Sequence, residues 1–399
     1  MISRIVNYLR ISITDRCNER CLYCMPEGFT DWKKREDILT YEEILRVVRL
    51  ITHLGFKNFR ITGGEPLIRK DAVSFIEKLN QIPGVENVFL STNATRLAQH
   101  ASALKKAGVK SLNISLDSLQ PETYQKITGG NLSEVLKGIQ SAREAGFERI
   151  KLNTVLIRHM NEDDLWPLIH YAAEHRHPIR FIELMPISLT EMLSEKNFFP
   201  ANEALKKITE KDHLIPLDTN LGVGPAKYYR LEKTGTIVGF ISSITNLHFC
   251  ENCNKIRLTA DGKIRPCLGN HGEYDLKPLL RNGGADNDIL EMIRLALPKN
   301  RPNTFFATTT SLIESCQPLA DNCHAKQLET INLDWIQLEY FIFFVPRYSA
   351  IQSSYLKTTN RINRFSPRQS SWHYDTTCWT KSGSEIKKPR LAHRAKWHS

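Results

Sequence analysis

The chain has no run of about 18 apolar residues; its most apolar short stretch, "YFIFFV" at 340–345, is too short to span a bilayer. Its first residues, "MISRIVNYLRISIT", lack both the apolar core of a secretion signal and the Arg- and Ser-rich amphipathic leader of an organelle import signal. The expected compartment is therefore soluble and reducing: a bacterial cytoplasm, or the mitochondrial matrix for a eukaryotic chain whose leader is missing. That excludes a disulfide framework for the nine cysteines and leaves metal or redox chemistry. Basic charge is scarce where nucleic acid would need it. Of the formal net charge of +11, residues 299–399 hold 14 basic and 7 acidic side chains, and the body is close to neutral. The expected partners thus include no nucleic acid and no membrane, and basic residues of the body serve one anionic ligand.

What is present in quantity is cysteine at short spacing. Cys17, Cys21 and Cys24 form C-x3-C-x2-C in "SITDRCNERCLYCMP", and Cys250, Cys253 and Cys267 form C-x2-C-x13-C, while Cys316, Cys323 and Cys378 are scattered. Three thiolates are one short of the four that close a structural zinc site or an ordinary iron–sulfur cluster. Such a triplet fits a cluster with one open iron, or a zinc knuckle completed by a distant fourth ligand.

Strand patterns at 8–14, 58–62, 87–92, 111–117, 150–157 and 179–185 alternate with amphipathic helices. One helix begins at the capping box Thr40-x-x-Glu43 and carries Ile44, Leu45, Val48 and Ile51; others carry Ala72, Phe75, Ile76 and Leu79, or Leu132, Val135, Leu136 and Ile139. Six such units predict an α/β fold, a partial (β/α)6 TIM-like barrel, whose site lies at the C-terminal strand ends. The cysteine loop, "TGGEP" (62–66), "STN" (91–93), Asp117, Ser118 and Met185 all fall there. The expected organisation is a barrel over 1–220, with a less regular stretch from 186; a small region of turns and short strands over 221–298; and an irregular tail, 299–399.

"CNERCLYCMP" and "TGGEP" resemble the signatures of radical S-adenosylmethionine (SAM) enzymes. With "YLRISITDRCN", "RITGGEPLIR", "LNISLDS", "RFIELMP" and "CNKIRLTADGKIRPCL", the chain from about Ile5 to Leu297 resembles the GTP 3′,8-cyclases, the molybdenum cofactor biosynthesis protein A family. The resemblance implies a radical SAM lyase with two 4Fe-4S clusters, one on Cys17, Cys21 and Cys24 and one on Cys250, Cys253 and Cys267. It implies SAM contacts at Tyr23, Gly64, Ser115, Arg180 and Met185, with Gly64 allowing a close backbone approach and Arg180 pairing with a carboxylate. It implies GTP contacts at Arg10, Arg60, Ser91, Lys151, Lys255, Ile256 and Arg257, and assigns no separate catalytic side chain. A 5′-deoxyadenosyl radical would take the ribose 3′ hydrogen, and closure on guanine C8 would give 3′,8-cyclo-7,8-dihydro-GTP, the first step of molybdenum cofactor biosynthesis. An electron donor and the cyclic pyranopterin monophosphate synthase that uses the product are the implied functional partners, and a homodimer is compatible with the family.

Two departures stand out. Asn58 and Lys255 occupy positions where the family commonly has Lys and Arg. The family's C-terminal Gly-Gly tail is replaced by "RAKWHS", and the late pair Gly283-Gly284 sits in an internal turn. The competing expectations are another radical SAM enzyme with an auxiliary cluster, a zinc-bearing nucleic-acid binder, and a folded but inactive member of the family.

Overall fold

In the computed structural model, residues 6–25, 28–185, 192, 194, 196–217, 224–246, 253–268 and 272–297 are described. Cys250 and the whole of 299–399 lie outside them. Six strands, β1 Tyr8–Ser12, β2 Asn58–Thr62, β3 Asn87–Thr92, β4 Val109–Ser115, β5 Ile150–Leu156 and β6 Ile179–Glu183, alternate with six helices in the expected manner. These are α1 Tyr41–Thr52, α2 Ala72–Asn80, α3 Leu97–Lys106, α4 Pro121–Thr128 with α5 Leu132–Glu144 following it directly, and α6 Leu165–Glu174. The capping box of α1 forms as predicted: the Thr40 hydroxyl accepts from the Glu43 amide at 3.2 Å and Glu43 Oε2 accepts from the Thr40 amide at 2.7 Å.

The stretch expected to be irregular contains α7 Ala201–Thr209 and β7 Leu214–Leu217. Then come β8 Lys227–Leu231, β9 Ile237–Ile241, β10 Lys255–Leu258, β11 Lys263–Arg265, β12 Tyr274–Asp275, α8 Lys277–Arg281 and α9 Asp286–Ala296. Position 220 falls between β7 and β8, which pair as a hairpin.

All these strands belong to one twelve-stranded mixed sheet in the order β12-β11-β10-β1-β2-β3-β4-β5-β6-β9-β8-β7. The six predicted strands lie side by side and parallel, as strand-helix repeats require. The sheet does not end with them. The C-terminal region adds β10 parallel to β1 and β9 parallel to β6, so it borders both edges of the six-stranded unit.

Period-two alternation divides each strand between two environments. Leu9, Ile11, Phe59, Ile61, Val88, Leu90, Leu112, Ile114, Ile150 and Leu152 are buried in one core with the apolar faces of the helices. The other face is polar: Arg10 on β1, Asn58 and Arg60 on β2, Ser91 on β3, Ser111 and Asn113 on β4, Lys151 and Asn153 on β5. A polar sheet face cannot be filled with interdigitated aliphatic side chains, and this one borders a cavity instead.

Candidate active site

The cysteine loop leaves the C-terminal end of β1 and is held by its neighbours. The Cys24 amide donates to the Cys21 carbonyl at 2.9 Å, and the Gly64 and Glu65 amides donate to the Thr14 and Arg16 carbonyls at 2.8 and 2.9 Å. A Cβ at Gly64 would stand 2.1 Å from the Arg16 carbonyl oxygen. Glycine at 64 is therefore required by its close approach to the cysteine loop. The five described cysteines outside any disulfide are Cys17, Cys21, Cys24, Cys253 and Cys267.

Three buried carboxylates brace this end. Glu65 accepts from the Leu67 amide (3.0 Å), the Thr92 hydroxyl (2.8 Å) and the Asn93 amide (2.7 Å). Asp117 accepts from the Tyr23 hydroxyl at 2.7 Å and the Val155 amide at 2.8 Å, and Glu19 accepts from the Tyr124 hydroxyl at 2.8 Å. Burial pushes Glu65 and Glu19 up to about 7 and Asp117 up to about 6. Burial also raises the Cys17 thiol to about 11, and it raises Cys21 and Cys24.

Among the described residues no three His, Cys, Asp or Glu side chains converge to hold a single metal ion. The donor chemistry of the first loop nevertheless suits an iron–sulfur cluster. It offers three soft thiol ligands, and two N–H groups already point at the Cys17 sulfur: the Glu19 amide at 3.5 Å and Asn93 Nδ2 at 3.9 Å. Asn93 also donates to Asn18 Oδ1 at 3.1 Å, so Glu65, Asn93 and Cys17 form one connected shell.

Below this end, on the polar inner face, lies a cavity of about 440 Å³, the size of a small-molecule site. Arg10, Arg60, Lys151 and Arg180 line it, with Lys255, Arg257 and Arg149. No Asp or Glu is among its described lining residues. Sheet register creates this density: β1 lies between β10 and β2, which sets Arg10 directly beside both Arg257 and Arg60. Like charges on adjacent strands repel. The Arg257 charge, then burial, then Arg60 push Arg10 down to about 9. Burial, with nearby arginines, lowers Lys151 to about 7 and Lys255 to about 8.

Arg60 is oriented by Tyr8, whose hydroxyl accepts from Nε at 2.7 Å, and by the Leu90 carbonyl at 3.0 Å; it stacks over Phe89 at 5.0 Å. Arg180 Nε donates to Asn153 Oδ1 at 2.8 Å. Such an array of fixed donors binds an anion, and best a polyanion.

Of the residues singled out from the sequence, Arg10, Arg60, Ser91, Lys151, Arg180, Met185, Cys253, Lys255, Arg257 and Cys267 all line this one cavity. Ile256 does not: alternation turns its fully buried side chain into the core, so only its main chain can face a ligand. Tyr23 lies within the cysteine loop, its hydroxyl engaged by Asp117, while Gly64 and Ser115 sit at the C-terminal ends of β2 and β4; none of the three is on the cavity wall. Sequence reading missed Arg149, Asn113 and Asn153 on the wall, and Glu65 and Asn93 behind the loop. A signal for the first three existed in the polar residues at every second position of "RIKLN" and "SLNIS".

Residues 11–172 match the Radical SAM superfamily and residues 177–306 match Molybdenum Cofactor Synthesis C. The chain is 46% identical over 296 residues to a GTP 3′,8-cyclase of Pelotomaculum thermopropionicum, covering 74% of this chain and 91% of that protein. It is 45% identical over 279 residues to a GTP 3′,8-cyclase of Alkaliphilus metalliredigens, covering 70% and 86%. Among solved structures it is similar to anSMEcpe with bound AdoMet (TM-score 0.54, 15% identity, 90% and 96% covered). It is also similar to Streptococcus suis SuiB (TM-score 0.52, 13% identity, 77% and 68% covered). At these identities the structural likeness is one of fold.

Proposed function

This chain belongs to the GTP 3′,8-cyclase family of radical SAM enzymes, and we propose that it binds GTP inside the sheet and converts it to 3′,8-cyclo-7,8-dihydro-GTP. The observation that carries the reading is the cavity whose described lining holds seven cationic side chains and no carboxylate. The cations are gathered inside a cavity, which suits one small polyanion and not the backbone of a nucleic acid.

Cys253 and Cys267, the described members of the second cysteine set, line that cavity. β10 runs parallel to β1, with Cys253 just before its first residue, while the Cys17 loop follows the last residue of β1. The Cys17 loop and Cys253 therefore stand toward opposite ends of the strand direction. Cys17, Cys21 and Cys24 would hold a 4Fe-4S cluster, and Cys250, Cys253 and Cys267 a second. When bound, the first cluster and SAM supply radical hydrogen abstraction at the ribose 3′ position. The chain's own residues do the positioning. Arg180, with a second buried N–H group lacking a protein partner, would take a SAM carboxylate, beside Met185, Tyr23, Ser115 and the Gly64 turn. Arg10, Arg60, Lys151, Lys255 and Arg257 would fix the triphosphate, with Ser91 and the main chain at Ile256 beside them.

The bacterial relatives favour a cytoplasmic enzyme that needs an electron donor, and no helix among the described residues is long and apolar enough to cross a membrane. The family match ends at residue 306, which supports reading most of 299–399 as lying outside the catalytic part.

The test is anaerobic loading of the full chain with iron and sulfide, then incubation with SAM, GTP and a strong reductant, assaying 5′-deoxyadenosine and the cyclised nucleotide together. Both are expected. Cys17→Ser abolishes both products, whereas Cys267→Ser loses the cyclised nucleotide and keeps part of the deoxyadenosine. Normal SAM cleavage by Cys17→Ser would refute the cluster assignment; deoxyadenosine formation with no cyclised product would favour a different radical SAM reaction.

A further inference from the structure

Four buried polar atoms of cavity-lining residues have no hydrogen-bond partner: Arg10 Nε, Arg180 Nη2, Lys255 Nζ and Asn113 Oδ1. Three are cationic donors that a phosphate or carboxylate satisfies. The fourth is an acceptor, which no phosphate oxygen can satisfy. A buried carbonyl oxygen left bare is costly, so its presence on a wall otherwise rich in donors points to a ligand N–H or O–H.

Register says which part of a nucleotide that is. Arg257, Arg10, Arg60, Phe89 and Ser111 stand side by side in one row across five strands. Two residues further along each strand, about 7 Å, Ser91, Asn113 and Lys151 form the next row. Another two residues along, Ser115, Asn153 and Arg180 form a third. Asn113 thus stands between the arginine row and the row nearest the cysteine loop. A nucleotide whose phosphates meet the arginines, and whose sugar meets the reagent held by the upper row, puts its sugar level with Asn113.

We propose that Asn113 is a specificity-determining residue whose Oδ1 accepts a hydrogen bond from a sugar hydroxyl of the bound nucleotide. This rests on the GTP reading of the cavity. It assigns the cavity a means of selecting ribose over deoxyribose that its cations, which see only charge, do not have. A site built to accept a hydroxyl proton rejects the analogue lacking it.

The experiment is equilibrium binding of GTP, 2′-deoxy-GTP, 3′-deoxy-GTP and ITP to the anaerobically loaded full chain and to its Asn113→Ala and Asn113→Leu variants. The unsubstituted chain is expected to bind one deoxy analogue about 10-fold more weakly than GTP. Both variants are expected to bind GTP about 10-fold more weakly and that analogue unchanged, so the ratio falls to about 1 while the ITP ratio stays fixed. Two side chains of different bulk separate the lost acceptor from altered packing. Deoxy discrimination that survives in both variants overturns the assignment, and so does a loss confined to ITP, which would make Asn113 a reader of the base. If the unsubstituted chain binds no GTP, the cavity reading falls along with this inference; GTP binding with unaltered ratios removes Asn113 alone.

Discussion

The C-terminal end of the strands and the cavity beneath it bury charge in opposite ways. At the strand ends Glu19, Glu65 and Asp117 are buried acids, each already holding hydrogen bonds from a tyrosine, a threonine or the main chain. Inside the sheet Arg10, Arg180 and Lys255 are half-buried bases, each with a buried nitrogen that has no partner among the described residues. The same loss of water raises the acids toward neutrality and lowers the bases. The difference is satisfaction: the acidic end is complete within the chain, and the basic cavity is complete only with an anion in it. One is built as scaffold and the other is shaped for a ligand, although both withdraw polar groups from water.

The sharpest way to break that contrast is to neutralise one member of each set. Glu65→Gln keeps the shape but turns one acceptor oxygen into an NH2 facing donors, either the Asn93 amide or the Leu67 amide and Thr92 hydroxyl. The expected cost is about 1–3 kcal/mol of stability, read by denaturant unfolding, with loosened iron retention on the loop. Arg10→Met keeps the buried stem and removes the charge that Arg257 and Arg60 repel. The ligand-free chain should then become more stable, while GTP binds about 10- to 100-fold more weakly. Loss of stability in Arg10→Met would mean that the cavity charges are structural after all, and the contrast would fail.

How much of this was legible in the sequence follows the same division. The strand-helix order was legible because β1 to β6 are short β-rich runs set between helices, of which α1, α2 and α5 carry apolar residues at helical spacing. The cysteine loop announced itself by spacing; glycine at 64 followed from the resemblance, and the structure adds a local reason for it in the Arg16 carbonyl. What could not be read is register. Arg10 taken singly is an ordinary strand arginine; it becomes part of an anion site only because β10, from the far end of the chain, pairs beside it and brings Arg257. For the same reason the cation Arg149 and the acceptor Asn113 went unnamed. α7 and β7 were missed because their short patterns sit in an otherwise aperiodic stretch.

A pH titration sharpens the contrast with a smaller effect. Lys151 and Lys255 have folded values of about 7 and about 8, below the 10.5 of a free lysine. The unfolded chain therefore holds more protons between those values, so stability rises with pH through that window and the penalty is full below about pH 7. An anion reverses the shift. GTP binding at pH 8 should take up protons, seen as a buffer-dependent heat in calorimetry, and affinity should fall several-fold, roughly, between pH 8 and pH 9.5. Binding heat independent of buffer would place the phosphates away from both lysines.

The smallest expected effect comes from adding charge instead of removing it. Asn58 lies on the cavity wall, in register with Tyr8, and its Oδ1 accepts from Asn87 Nδ2 at 3.1 Å. Asn58→Lys gives up that bond and places a further cation on the same face of β2 as Arg60. If the cavity is an anion site kept open at the expense of stability, the two readouts must move apart. GTP should bind about 3-fold more tightly, and the ligand-free chain should lose under about 1 kcal/mol. Asn58→Gln, which changes bulk without charge, should do neither. A lysine at 58 that lowers both affinity and stability would show that the existing cations already saturate the ligand and that asparagine is there for its bond to Asn87.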